Sequence, residues 1–301
     1  MAREAATATA GRTDNTIRLR DGRRLGYAEY GDPGGRPLFY FHGYPDSRLG
    51  ARLAHEDAAR RGVRVIAFDR PGFGLSDFKR GRTIGDWPAD VAEAADELGI
   101  ERFAVIGISG GGPYAAACAA KIPHRLTSAA IVSGLAPLNV RAATAGMSRW
   151  NRLTIPILRR LPWLLPAIAR LLMWLFAQGL RRWPDRVLRL LSRSAPASDK
   201  AILAKPEIWA AMKEDFAEAF RQGSRGAAWE LVLYLRPWDF RLEDISVDVH
   251  LWQGETDNVI PASMGRYLAQ TIPNCQARFY PDEGHLLVVD RMEEIQSALF
   301  P

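Results

Sequence analysis

Short apolar segments alternate with helical ones along most of this chain, and that alternation constrains its fold more than any other feature. Apolar runs at 37–41, 63–68, 103–108, 126–132, 247–252 and 276–280 read as strands; helical character fills 48–61, 83–98, 110–121 and 261–271, and a last helix follows Gly284. Strands of this kind, nearly continuous in apolar residues, are buried on both faces, so the pattern predicts a mostly parallel sheet covered by helices on both sides, the α/β class. Asp21-Gly22, between segments 16–20 and 25–30, predicts a hairpin ahead of the repeat.

The rhythm breaks once. Residues 136–239 are helical throughout, punctuated by Pro156, Pro162, Pro166, Pro184, Pro196 and Pro206. This predicts an all-helical lid inserted into a core formed by 15–135 and 240–301, with 1–14 a flexible leader. That leader is small and polar and lacks the apolar stretch of a signal peptide, so a cytoplasmic location is expected. Cys118 and Cys275 match no metal-ligand spacing and are expected to be thiols. The formal charge of +6 favours acidic partners in principle, yet no zinc-finger spacing or RNP-like strand accompanies it, which argues against nucleic acid.

One strand-to-helix junction carries chemistry. Gly107-Ile108-Ser109-Gly110-Gly111 fits G-x-S-x-G where the run 103–108 meets an alanine-rich helix. A sharp turn there exposes the serine hydroxyl, glycines on either side remove Cβ atoms that would collide, and the helix start directs free N–H groups at developing negative charge. The alternative is a glycine-rich turn that only packs tightly or cradles a phosphate. A serine hydroxyl also needs an imidazole to take its proton and a carboxylate to fix that imidazole. His285, after Glu283-Gly284 in a loop beyond the last strand, is the candidate base. His55 and His124 read as structural or solvated, and His250 as a satisfied core histidine. Asp257 is the candidate acid, with Glu255 as its rival and Asp282 and Glu283 as loop carboxylates.

Five ordered motifs then point to a known family. His42-Gly43-Tyr44-Pro45, Asp69-Arg70-Pro71-Gly72-Phe73-Gly74, the Ser109 pentapeptide, Asp257-Asn258-Val259-Ile260-Pro261 and Gly284-His285 resemble the α/β-hydrolase superfamily, in its serine-nucleophile esterase and lipase-like branch. The resemblance covers most of the chain outside the lid and implies the order Ser, acid, His. It implies structural roles for His42, Gly43, Gly107, Gly111 and Asp69, and an oxyanion hole from the backbone N–H groups of Tyr44 and Gly110, since Pro45 has no N–H. Some members carry the acid after an earlier strand; here 132–140 holds no carboxylate, which favours Asp257. Ser109 argues against the epoxide hydrolases and haloalkane dehalogenases of this fold, which use a carboxylate at that position.

The expected activity is hydrolysis of a small to medium hydrophobic ester through an acyl-enzyme, with no cofactor and no metal. Lactone, amide or C–C bond hydrolysis, or lyase chemistry, on the same triad is the alternative, and a non-catalytic small-ligand binding protein is another. The lid itself has two readings. Eleven arginines and a single acid, Asp185, fall between residues 141 and 193, and seven of nine tryptophans lie between 150 and 238. Residues 161–180 are long enough to span a bilayer, but Pro162, Pro166 and Arg170 oppose it. Either the lid is an amphipathic roof over an apolar pocket, or it also faces a membrane, its arginines meeting anionic headgroups.

Overall fold

The structure is a computed structural model that describes residues 11–301. Among the described residues eight strands form one sheet, in the order β1-β2-β4-β3-β5-β6-β7-β8. These are β1 (Arg12–Arg18), β2 (Arg24–Gly31), β3 (Arg36–Phe41), β4 (Val63–Phe68), β5 (Phe103–Ile108), β6 (Leu126–Val132), β7 (Val249–Gly254) and β8 (Cys275–Tyr280). The pairs β1–β2 and β2–β4 are antiparallel, and every pair from β4 across to β8 is parallel.

Helices cover both faces because the strands alternate. Phe39 and Phe41 of β3, with Phe103 and Val105 of β5, point to one side. There they meet α2 (Trp87–Glu97), α3 (Gly112–Lys121) and α10 (Ala262–Thr271). Leu38, Tyr40, Ala104 and Ile106 point to the other side, where α1 (His55–Arg60) and α11 (Val288–Leu299) pack. Each large side chain removed from water here contributes about 1.5–3 kcal/mol.

The structure moves several sequence-derived boundaries. β1 starts at Arg12, so the last residues of the expected leader are strand; its first ten lie outside the described residues. α2 starts at Trp87 rather than at residue 83, because the Asp86 carboxylate accepts the Thr83 N–H and closes a turn ahead of the helix. β7 runs on to Gly254.

Between β6 and β7 lie six helices and, among the described residues, no strand: α4 (Arg149–Arg160), α5 (Leu165–Arg182), α6 (Pro184–Ser192), α7 (Ala197–Leu203), α8 (Pro206–Ala219) and α9 (Arg225–Leu235). α5 turns Leu165, Ala169, Ala177 and Leu180 inward, spaced by one or two helical turns so that they make a stripe. Phe216 and Phe220 close a cluster around Phe73 of the core. None of the helices among the described residues is long and apolar enough to cross a membrane.

Candidate active site

Ser109 sits directly after β5 at φ 52°, a left-handed conformation unusual for a residue with a Cβ. The flanking glycines are required by close approach. A Cβ on Gly107 would stand 2.4 Å from the Gly111 carbonyl oxygen, and one on Gly111 only 2.1 Å from that of Phe41. The pentapeptide is therefore wedged between β3 and its own helix, with Ser109 at the tip.

His285 and Asp257 meet from loops after β8 and β7. His285 Nδ1 lies 2.8 Å from Asp257 Oδ2, while Asp257 Oδ1 accepts the N–H groups of Val259 at 2.9 Å and Ile260 at 2.8 Å. Gln253 Nε2 adds a contact to Oδ2 at 3.3 Å. The carboxylate is thus held from both oxygens, and Nε2 is the imidazole nitrogen this contact leaves free. Burial disfavours a charged ring at His285, but the nearby carboxylates of Asp257, Asp199 and Asp46 outweigh it and raise the pKa above its ordinary value. Ser109 and His285 line the same cavity. Among the described residues no hydrogen bond joins them; such contacts are commonly long until substrate is bound.

The backbone of His285 is pinned as firmly as its ring. Asp199, on α7 of the insertion and 3% exposed, accepts the N–H groups of His285 at 2.9 Å and Leu286 at 3.0 Å. Ser133 Oγ, at the end of β6, donates to the His285 carbonyl at 3.3 Å.

The loop after β3 is organised by a buried charge network. Arg70 donates to the carbonyl oxygens of His42 and of Gly43 (2.8 Å), and its own N–H donates to His42 Nε2 at 3.2 Å. His42 Nε2 is thus an acceptor, which leaves Nδ1 to donate to the Gly43 carbonyl at 2.9 Å. Burial and the Arg70 charge push the His42 pKa well down, so this ring stays neutral. Arg70 is balanced by Glu230 of α9, at 2.6 Å, both fully buried. Glu230 also binds Arg82 and accepts from Tyr114 and Tyr234, each at 2.8 Å. Tyr234 has its hydroxyl 2.8 Å from the Gly110 carbonyl and its ring edge-on to Tyr44. A Cβ on Gly110 would stand 2.8 Å from Tyr44 Cβ. The two residues expected to supply the oxyanion N–H groups are therefore neighbours, fixed from below by one insertion helix.

A cavity of about 460 Å³ opens in front of Ser109 and His285. Its wall is mostly apolar, and half of the lining residues come from the insertion, among them Met173, Phe176, Leu188, Trp209, Met212 and Phe216. Its charged lining groups are Asp46, Asp199, Asp215 and His285, with no lysine or arginine among the described residues. Burial raises Asp46 to about 6 and raises Asp215 as well; Arg70 and His285 hold Asp46 lower than burial alone would. Tyr44 lines the cavity, and its hydroxyl is engaged by the Ala227 carbonyl at 2.9 Å.

The other candidates fall elsewhere. Glu255 pairs with Arg266 and Glu283 with Arg291, while Asp282 is exposed. Asp69 is fully buried against Arg48 at 2.8 Å and accepts the Leu75 N–H, a structural placement. His55 Nδ1 accepts the Gly31 N–H at 3.0 Å, and His124 lies in the turn before β6. His250 does lie in β7, but its Nδ1 has no partner, so the expectation of a satisfied core histidine is corrected. Cys118 and Cys275 are free thiols. Among the described residues no cluster of three or more His, Cys, Asp or Glu side chains is placed to hold a metal ion.

Comparison with known proteins agrees with this fold. A non-heme chloroperoxidase of Streptomyces lividans is 34% identical over 137 residues, 43% of this chain and 48% of its own length. The chain thus spans about half of that curated relative. Among solved structures, an esterase from Exiguobacterium antarcticum superposes with a TM-score of 0.67 at 17% identity, covering 95% of this chain and 97% of its own. A bromoperoxidase from Bacillus anthracis gives 0.68 at 18%, covering 95% and 98%. The α/β hydrolase fold family model matches residues 36–291, most of the length, and the chain belongs to that family.

Proposed function

We propose that the protein hydrolyses carboxylic esters with hydrophobic, small to medium acyl groups. Ser109 attacks the ester carbonyl carbon as His285 Nε2 takes the hydroxyl proton. The N–H groups of Tyr44 and Gly110 bind the resulting oxyanion. Collapse expels the alcohol, which carries off the proton held by His285 and leaves an acyl-serine. Water, deprotonated by the same imidazole, then releases the acid and restores Ser109. Asp257 fixes the tautomer and orientation of His285, and helices α4–α9 act as the lid over the acyl pocket.

The observation that carries this reading is the Asp257–His285 contact at 2.8 Å, at the wall of an apolar cavity that also holds a serine at φ 52°. The apolar wall supports a hydrophobic acyl group. The acids on the same wall disfavour an anionic one.

Release of p-nitrophenol from acetate, butyrate, octanoate and palmitate esters, with wild type beside Ser109→Ala, tests the proposal. Loss of the nucleophile lowers kcat by about 10⁶-fold. The preferred chain length measures the pocket. Labelling of Ser109 by a fluorophosphonate with no ester cleaved would move the assignment to lactone, amide or C–C bond chemistry. No labelling would leave a binding protein of the same fold.

A further inference from the structure

The exposed apolar surface of this protein is gathered in one place. Of twelve large hydrophobic side chains exposed among the described residues, ten lie between Leu153 and Leu191, on α4–α6 and the turns joining them. Trp163 is 75% exposed, Leu171 57% and Trp174 52%. α5 is thus apolar on two faces: the stripe from Leu165 to Leu180 is buried against the protein, and Leu171, Leu172, Trp174 and Leu175 face outward. A patch of this kind on a water-soluble surface marks an interaction site.

Charge says what the patch would meet. Residues 141–193 carry eleven arginines and one acid, a net +10 against +6 for the whole chain, so the remainder is net −4. From Arg152 to Arg193 every arginine except the half-buried Arg159 is exposed, and among the described residues none forms an ion pair. A second copy docked through this face would bring two such strongly positive surfaces together. A bilayer with anionic headgroups satisfies both features, taking tryptophan and leucine into its interface and arginine at its phosphates.

We propose that the outer face of α4–α6, centred on Trp163, Leu171, Trp174 and Trp183 with their flanking arginines, docks on an anionic lipid bilayer. The cavity opens beside this face. Leu191 belongs to the exposed patch and also lines the cavity, and the two remaining exposed large hydrophobics, Leu53 and Val259, line it as well. A docked molecule receives apolar ligands from the lipid side.

Flotation of the full chain with vesicles tests this without reference to catalysis. The vesicles are phosphatidylcholine alone, and phosphatidylcholine with phosphatidylglycerol in roughly two-to-one ratio. Wild type floats with the anionic vesicles and remains behind with the neutral ones. Arg181→Ala with Arg182→Ala lowers the partition coefficient about thirtyfold, about fivefold for each charge. Leu171→Ser with Trp174→Ser lowers it also, and unchanged melting curves show that both variants fold. The proposal is overturned if wild type ignores anionic vesicles, if neutral vesicles bind equally well, or if either folded variant binds like wild type. It is equally overturned if wild type sediments as a dimer that Leu171→Ser with Trp174→Ser disperses, since the face would then join two copies.

Discussion

Glutamine at position 230 removes one charge and almost no volume from the point where α9 meets the loop after β3. Glu230 is fully buried, and two guanidinium groups face it, Arg70 fully buried and Arg82 nearly so. Removing one partner of a buried pair costs about 3–5 kcal/mol, because the other charge is left uncompensated. Unfolding entropy is about 2.1 cal/mol/K per residue, or ~0.6 kcal/mol/K for a chain of this length, so Glu230→Gln should lower Tm by about 5–8 °C. The effect has a pH signature. Burial raises the Glu230 pKa, but Arg70 and Arg82 outweigh it and lower the value from 4.5 to about 2. Its stabilising contribution is therefore complete above pH 4.5 and is lost as the pH falls toward 2. Melting curves of wild type and variant, recorded by circular dichroism from neutral to acid pH, should converge across that interval. A Tm difference below about 2 °C at neutral pH, or one that persists undiminished into acid, refutes the reasoning. Because Arg70 also holds the His42 and Gly43 carbonyls, the variant should lose kcat more than it raises KM.

Asp199→Asn leaves one acceptor for two N–H groups and removes a negative charge beside His285; kcat/KM should fall about 10–100-fold. The acidic limb of its pH profile should move to lower pH, which lost packing alone would not do. Asp46→Asn should stabilise the fold at neutral pH, because an acid whose pKa is raised to about 6 by burial opposes folding when ionised. The gain, on the order of 1–2 kcal/mol, should vanish as the pH falls toward 4, and thermal melts at both ends of that range check it. An ester whose acyl chain ends in a carboxylate should show kcat/KM about 100-fold below its neutral isostere, since Asp46 and Asp199 line the cavity with no lysine or arginine opposite. Equal rates for the two would mean that the acyl group does not occupy this cavity.

What was legible in the sequence is what local sterics encode. β4, β5 and β6 lie where their apolar runs place them, since a strand buried on both faces leaves a continuous signature. The turn at Ser109 was readable because glycines are demanded within two residues of it. His285 and Asp257 are brought together as their positions after β8 and β7 imply. The supports were not readable. Glu230, Asp199 and Asp215 act on Arg70, His285 and Ser47, partners 86–168 residues away, and nothing local says that helices of the insertion reach those loops. A signal for Glu230 did exist: it is the lone acid in a run from Gly226 to Leu235 otherwise built of apolar residues, glycine and tyrosine, and a charge in a buried helix must be paired. The insertion's tryptophans divide between the two readings of the lid. Trp209 lines the cavity, while Trp163, Trp174 and Trp183 lie outside.

The insertion sorts its charges by direction. Four of its acids reach inward to the core, Asp199 to His285, Asp215 to Ser47, Glu218 to Arg48 and Glu230 to Arg70, while the arginines from 152 to 193, the half-buried Arg159 excepted, stand in solvent. The two sets respond differently to salt. At physiological ionic strength the screening length is about 8 Å for exposed charges, whereas buried pairs are screened much less. Raising the salt should therefore release the protein from anionic vesicles while leaving kcat on a water-soluble ester unchanged. If activity and vesicle binding fell together over the same salt range, the contacts that hold the catalytic loops would have to be as exposed as the arginines, and the division of labour argued from their burial would fail.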